Sequence, residues 1–125
     1  MSAARLLVVD DDALLRLAMV RTLERAGHVC DAAADGLEAL DQLQRSAYAL
    51  VITDLRMPRM DGLELIRRSA QLGMVVSFVL VSGHGDELHE HVGELGIVRV
   101  VGKPIMPQTL RDLVGEVLAS GVGSG

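Results

Sequence analysis

Lysine is nearly missing from this chain: Lys103 stands alone against eleven arginines. Where charge alone matters the two residues serve alike, so a lone ammonium points to a contact that a guanidinium fork cannot make. Aromatic residues are as scarce. Tyr48 and Phe78 are the only ones and tryptophan is absent, so a core must be built from Leu, Val, Ile, Ala and Met. Cys30 is the single cysteine, which excludes a disulfide framework and a cysteine-rich metal site. The apolar runs are too short to span a membrane, and no charged-then-apolar leader opens the chain, so a cytoplasmic protein away from the membrane is expected. Basic charge is also in deficit. A net charge of -5 argues against nucleic-acid binding by this segment, which would need a basic face.

What the chain does contain is a repeated pattern of short apolar runs, each closed by a polar group. Leu6-Leu7-Val8-Val9 is followed by Asp10-Asp11-Asp12, and Leu50-Val51-Ile52-Thr53 by Asp54. Val79-Leu80-Val81 leads to Ser82, and the run from Ile97 to Val101 leads to Lys103 and Pro104. Runs of this length read as strands buried on both faces.

Between them lie stretches at helical spacing. Asp12 is placed to cap a helix from about Ala13 to Ala26, with Leu15, Ala18, Met19, Leu23 and Ala26 on its apolar side and Gly27 as its stop. A weaker strand at Val29–Ala33 precedes an Asp35-Gly36 turn and a helix through Leu37, Leu40 and Leu43. A further helix carries Leu63, Ile66 and Ala70, a strand covers Val75–Val81, and another helix is expected from Asp86 to Leu95, ending at Gly96. The last helix begins near Pro107, a favoured first-turn residue, and runs through Leu110, Leu113, Val114, Val117 and Leu118. Five strands alternating with five helices predict a (βα)5 doubly wound α/β fold around a parallel five-stranded sheet. An order such as 2-1-3-4-5, as in flavodoxin-like folds, satisfies the handedness of the crossovers. One domain over residues 1–119 is expected, with 120–125 as a flexible Gly/Ser tail or linker stub.

In that topology ligands bind where the winding reverses, beyond the carboxyl ends of the first and third strands. Asp10, Asp11 and Asp54 would converge there, with Ser82 and Lys103 at neighbouring strand ends. Crowded carboxylates repel one another, and a hard divalent cation such as Mg²⁺ relieves the repulsion while leaving positions for phosphate oxygens. A carboxylate can also attack a phosphoryl donor to form an acyl phosphate. Asp54 stands alone on its strand end and suits that role, whereas Asp10 and Asp11 suit metal holding.

Val8-Val9-Asp10-Asp11-Asp12, the run Asp54-Leu55-Arg56-Met57-Pro58-Arg59-Met60-Asp61-Gly62, Ser82-Gly83 and Lys103-Pro104 resemble a two-component response-regulator receiver domain over nearly the whole chain. The resemblance implies phosphorylation of Asp54 by a sensor histidine kinase or phosphotransfer protein, and a downstream effector or fused output domain that reads the result. It implies Mg²⁺ held by Asp11 and Asp54, with Asp10 acting through water and the Arg56 backbone carbonyl adding a ligand. Ser82 and Lys103 would contact phosphoryl oxygens, and the Lys103-Pro104 peptide would be cis. Arg56 and His84, two residues beyond acceptor and hydroxyl, are expected to tune the lifetime of the acyl phosphate. The face formed by the fourth helix, fifth strand and last helix is the expected reading surface, with homodimerisation on phosphorylation as an option. Such a domain catalyses its own phosphorylation and dephosphorylation without being an enzyme in the ordinary sense.

One position departs from the family pattern. Val100 stands where a Tyr or Phe usually reports phosphorylation, so output is expected to pass through backbone movement around Gly83, Gly102 and the helix after Asp86. Two other functions remain as alternatives. Asp10-x-Asp12 superficially fits a haloacid-dehalogenase-like phosphatase with Asp10 as nucleophile, and a pseudo-receiver would bind partners without phosphorylation. Blander roles are expected elsewhere: Met57 and Met60 pack the loop, Asp61 forms a turn with Gly62, Arg67 and Arg68 are solvated, and Cys30 is a small buried apolar group. His84, His89 and His91 fall too irregularly to hold a metal.

Overall fold

The computed structural model describes residues 4–83 and 92–120. In chain order the elements are β1 (Arg5–Val9), α1 (Ala13–Arg25), β2 (Val29–Ala33), α2 (Gly36–Arg45), β3 (Leu50–Asp54), α3 (Gly62–Gln71), β4 (Ser77–Ser82), β5 (Ile97–Gly102) and α4 (Pro107–Ala119). All neighbouring strands pair in parallel, in the order β2-β1-β3-β4-β5.

Alternation along the strands divides the core into two layers, because successive side chains of a strand point to opposite faces. Leu7, Val9, Val51 and Leu80 face one way and pack with Ala39 and Leu43 of α2 and Leu65 and Ile66 of α3. Leu6, Val8, Ile52, Val79 and Val81 face the other way, onto Met19 and Leu23 of α1 and Leu110, Leu113, Val114 and Val117 of α4. The continuous apolar runs are therefore strands covered on both sides. Each fully buried Leu or Val contributes about 1.5–3 kcal/mol relative to exposure, so a core with one phenylalanine suffices. No helix among the described residues is long and apolar enough to cross a membrane.

Several boundaries differ from expectation. Val75 lies outside β4 and is 95% exposed, because pairing with β3 begins only at Ser77. Ser69, not Ala70, is the buried residue late in α3, its hydroxyl donating to the Leu65 carbonyl at 2.9 Å. Ala18, Ala26 and Leu37 are exposed rather than packed. Asp61 and Asp35 are helix caps rather than simple turn residues: their carboxylates accept the backbone N–H of Glu64 and Glu38. Cys30 is only half-buried.

The helix expected over Asp86–Leu95 falls mostly outside the described residues, as do His84, His89 and His91. Its last part, from Val92 on, is turn rather than helix. There the Ile97 N–H donates to the Glu94 carbonyl at 2.8 Å, which feeds the chain directly into β5. Ser120 caps the end of α4, and the rest of the expected tail lies outside the described residues.

Candidate functional site

The carboxyl ends of β1 and β3 lie side by side at the reversal of winding, in register from Leu6↔Leu50 to Val9↔Thr53. The acids following each strand are thereby brought together. Asp10 is 2% exposed, and its Oδ1 accepts the Asp12 N–H at 2.9 Å. Asp12 in turn caps α1, accepting the N–H groups of Leu14 and Leu15 at 3.1 and 3.2 Å. One residue therefore shapes the turn while its neighbours serve the site. Asp11 remains exposed, and Asp54, the last residue of β3, is 7% exposed.

Lys103 reaches this cluster from beyond β5. Its Nζ donates to Asp54 Oδ2 at 2.9 Å and lies 3.6 Å from Asp10 Oδ2. The Lys103-Pro104 peptide is cis. The Lys103 backbone N–H donates to the Ser82 carbonyl at 2.9 Å, which ties the lysine to the end of β4, and Ser82 is buried there opposite Gly102.

Electrostatics set these groups apart from ordinary surface charges. Burial pushes the Asp10 carboxyl above the usual carboxylate range, and the charges of Asp54 and Asp11 push the same way. The Asp12 N–H and the Lys103 ammonium oppose that rise without cancelling it. For Lys103, burial works against the charged form. The hydrogen bond to Asp54 and the charge of Asp10 outweigh it and hold the ammonium above its ordinary value. Among the described residues, three carboxylates gather about one ammonium there.

Oxygen atoms from Asp10, Asp11 and Asp54 all lie within 4.8 Å of one another. A set made only of carboxylate oxygens, partly open to solvent and short of positive charge, fits a hard divalent cation of the Mg²⁺ type. Arg56, whose carbonyl the resemblance adds to this set, sits on the exposed loop two residues past Asp54.

With five parallel strands in this order and the acid cluster at their reversal, the comparisons with known proteins become decisive. The sequence model of the response regulator receiver domain matches residues 6–115. The chain belongs to that family. The receiver is 32% identical over 114 residues to the response regulator receiver protein CpdR of Brucella abortus, covering 90% of this chain and 92% of that one. It is 39% identical over 104 residues to protein-glutamate methylesterase/protein-glutamine glutaminase 1 of Anaeromyxobacter dehalogenans, covering 82% of this chain but only 30% of that one. The chain thus spans less than a third of the length of some curated relatives it matches. Among solved structures, a CheY-like receiver domain protein from Methanospirillum hungatei superposes with a TM-score of 0.88 at 26% identity, covering 99% of this chain and all of that one. As a receiver of two-component response regulators, the domain is a phosphoacceptor, and the match leaves the phosphatase and pseudo-receiver alternatives without support.

The structure brings Asp10, Asp11, Asp54 and Lys103 together and seats Ser82 at the adjoining strand end, while His84 lies outside the described residues. Sequence reasoning missed three contributors. Arg16 donates from Nη1 to the Asp10 carbonyl at 2.7 Å, bracing the acidic turn from α1. Gly62 lies where an added Cβ would come within 2.5 Å of the Asp54 carbonyl, so α3 starts closer to Asp54 than any side chain allows. Asp35 is the third. Its capping role was readable from Glu38 three residues on, but its partner was not.

Proposed function

We propose that Asp54 accepts a phosphoryl group from the phosphohistidine of a sensor kinase or phosphotransfer protein, in a Mg²⁺-dependent reaction. The observation that carries this is the Asp54 carboxylate held by Lys103 at 2.9 Å within a cup of carboxylate oxygens. One Asp54 oxygen attacks phosphorus while the donor P–N bond breaks and its electron pair stays with the leaving imidazole. The product is an acyl phosphate. Lys103 neutralises charge on the acceptor and then on a phosphoryl oxygen, and the Ser82 hydroxyl donates to another. Because such transfers depend mainly on positioning and charge neutralisation, no further nucleophile or base is required. Asp10, Asp11, Asp54 and the Arg56 carbonyl would hold Mg²⁺, which when bound neutralises the phosphoryl oxygens.

Water attacking the same phosphorus returns Asp54 to its carboxylate, so the domain promotes its own phosphorylation and dephosphorylation without turning over an external substrate. Arg56 and His84 set the rate of that hydrolysis. The exposed apolar side chains of Leu14 (81%), three residues after Asp11, and Met106 (61%), three residues after Lys103, suit kinase docking. Residues 1–119 act as one receiver in the cytoplasm, and 120–125 as a Gly/Ser tail or linker stub. Phosphorylation drives effector binding or homodimerisation. Val100 is a buried valine on β5, so the signal passes through the backbone near Gly83 and Gly102.

The test is intact mass after incubation with acetyl phosphate and Mg²⁺, for wild type, Asp54→Asn and Asp10→Asn. One labile phosphoryl adduct that Asp54→Asn alone abolishes supports the reading. An adduct that follows Asp10, or none on wild type, overturns it.

A further inference from the structure

The loop from Leu55 to Asp61 carries the Arg56 carbonyl, and its ends are tied down. Leu55 N–H donates to the Val81 carbonyl at 2.8 Å, and Gly62 N–H donates to the Leu55 carbonyl at 2.7 Å. Between these ends, Arg59 adopts a left-handed backbone with φ 68°. A residue with a Cβ is uncommon there, and such strain persists only where the surroundings enforce it.

The enforcing contact is visible. The Arg59 guanidinium donates through both Nε, at 3.0 Å, and Nη2 to Asp35 Oδ2, at the start of α2. Asp35 is 6% exposed, and its other oxygen is occupied by the Glu38 N–H at 3.0 Å, so the carboxylate is fixed on its own helix and makes a rigid anchor. The next residue presses on the loop directly: a Cβ on Gly36 would meet the Met60 carbonyl at 2.6 Å. Met60 itself is buried in the core.

We propose that the Arg59–Asp35 ion pair is a latch that positions the loop after the acceptor, and so sets how well the Arg56 carbonyl completes the cation site. Neither residue touches the reacting atoms; both are positioning residues. The inference rests on the metal reading above and deepens it. It assigns the affinity of the site in part to a contact with Asp35, the residue that caps the start of α2. It also accounts for an arginine at a position where glycine would be unstrained.

The test is calorimetric titration of the full chain with Mg²⁺ for wild type, Asp35→Asn, Arg59→Gly and the double variant. Asn caps a helix as well as Asp, so Asp35→Asn keeps the Glu38 contact but puts an NH2 donor where Oδ2 accepts from Arg59, which removes both the charge and the acceptor of the latch. Glycine accepts φ 68° without strain, so Arg59→Gly loses the latch with little change in melting temperature. Each single variant is expected to bind Mg²⁺ about threefold more weakly, within what an ion pair with one largely exposed partner can supply. The double variant should be no weaker than either single, since the pair acts as a unit. Faster amide exchange at Met60, whose N–H donates to the Pro58 carbonyl, should accompany the loss. Wild-type Mg²⁺ affinity in either single variant overturns the latch while leaving the metal site intact. Absence of Mg²⁺ binding by wild type overturns the metal reading and the latch together.

Discussion

Two polar clusters, one at each end of the sheet, handle charge in opposite ways. Near the amino-terminal ends of β1 and β3, Asp31 is paired with Arg5 at 3.2 Å and accepts the Tyr48 hydroxyl at 2.6 Å. Gln42 lies 3.2 Å from the same hydroxyl and donates to the Ala32 carbonyl at 2.9 Å, while the Arg5 guanidinium sits 5.9 Å above the Tyr48 ring. Charge there is balanced, and burial together with Asp31 pushes the Tyr48 phenol up to about 12, out of any physiological titration. At the carboxyl-terminal ends, among the described residues, the Lys103 ammonium meets Asp54 and Asp10, with Asp11 beside them. A network whose groups satisfy one another stabilises a fold; one left short of positive charge has the electrostatics of a binding site.

Removing the single cation should separate the two clusters most sharply. Lys103→Met is expected to slow phosphorylation of Asp54 by about 10²-fold, the typical cost of losing one donor aimed at developing charge, as followed by the time course of the mass adduct. Lys103→Arg should restore little, since a planar fork cannot replace a compact ammonium between Asp54 and Asp10. If arginine restores the full rate, the site needs only charge.

The opposite cluster should respond in stability and not in chemistry. Tyr48→Phe is expected to cost about 1 kcal/mol, the net worth of a typical hydrogen bond, in urea unfolding, with the phosphorylation rate unchanged. A drop in rate would mean that the two ends are coupled through the sheet.

Asp10→Asn should do the reverse. The carboxyl of Asp10 titrates higher in the folded chain than in the unfolded one, so its contribution to stability falls as pH rises through the folded value. At neutral pH and without Mg²⁺ the charged form is a burden, and the asparagine variant is expected to melt a few degrees higher. Adding Mg²⁺ should shrink that gap, because the cation stabilises wild type more.

The smallest effect concerns Asp35. Burial alone would raise its carboxyl, yet the Glu38 N–H and the Arg59 guanidinium hold it below the ordinary value. Its contribution is therefore complete above the unfolded carboxylate range, about pH 3.9, and is lost as pH falls through the lower folded value. Arg59 is largely exposed, so the pair should account for less than about 1 kcal/mol. In urea titrations below pH 4, wild type should lose its small advantage over Asp35→Asn.

Much of the fold was readable because the strands announce themselves. Leu6–Val9, Leu50–Ile52 and Val79–Val81 are unbroken apolar runs, each leading to a polar residue at the carboxyl edge of the sheet. The same linear reading placed β4 too early, at Val75. An exposed valine beside a strand looks like a buried one until its pairing partner is known. It also took Asp35 and Asp61 for turn residues, since a carboxylate before a glycine suits a turn and a cap equally. Arg59 was read only as part of a motif, because nothing in the spacing of residues 35 and 59 says that they meet.

By itself, then, the sequence determined the strand and helix alternation, the identity of the acids, hydroxyl and lysine, and the family to which they belong. These follow from local period and from residues adjacent in the chain. Tertiary structure decided which charges compensate one another. It placed Lys103 on Asp54, 49 residues away, and Arg59 on Asp35, 24 residues away, and it left Gly36 and Gly62 no room for a side chain. The reason is geometric. Parallel strands gather their carboxyl ends from distant parts of the chain, so the distances that govern charge and metal affinity exist only once the sheet has formed.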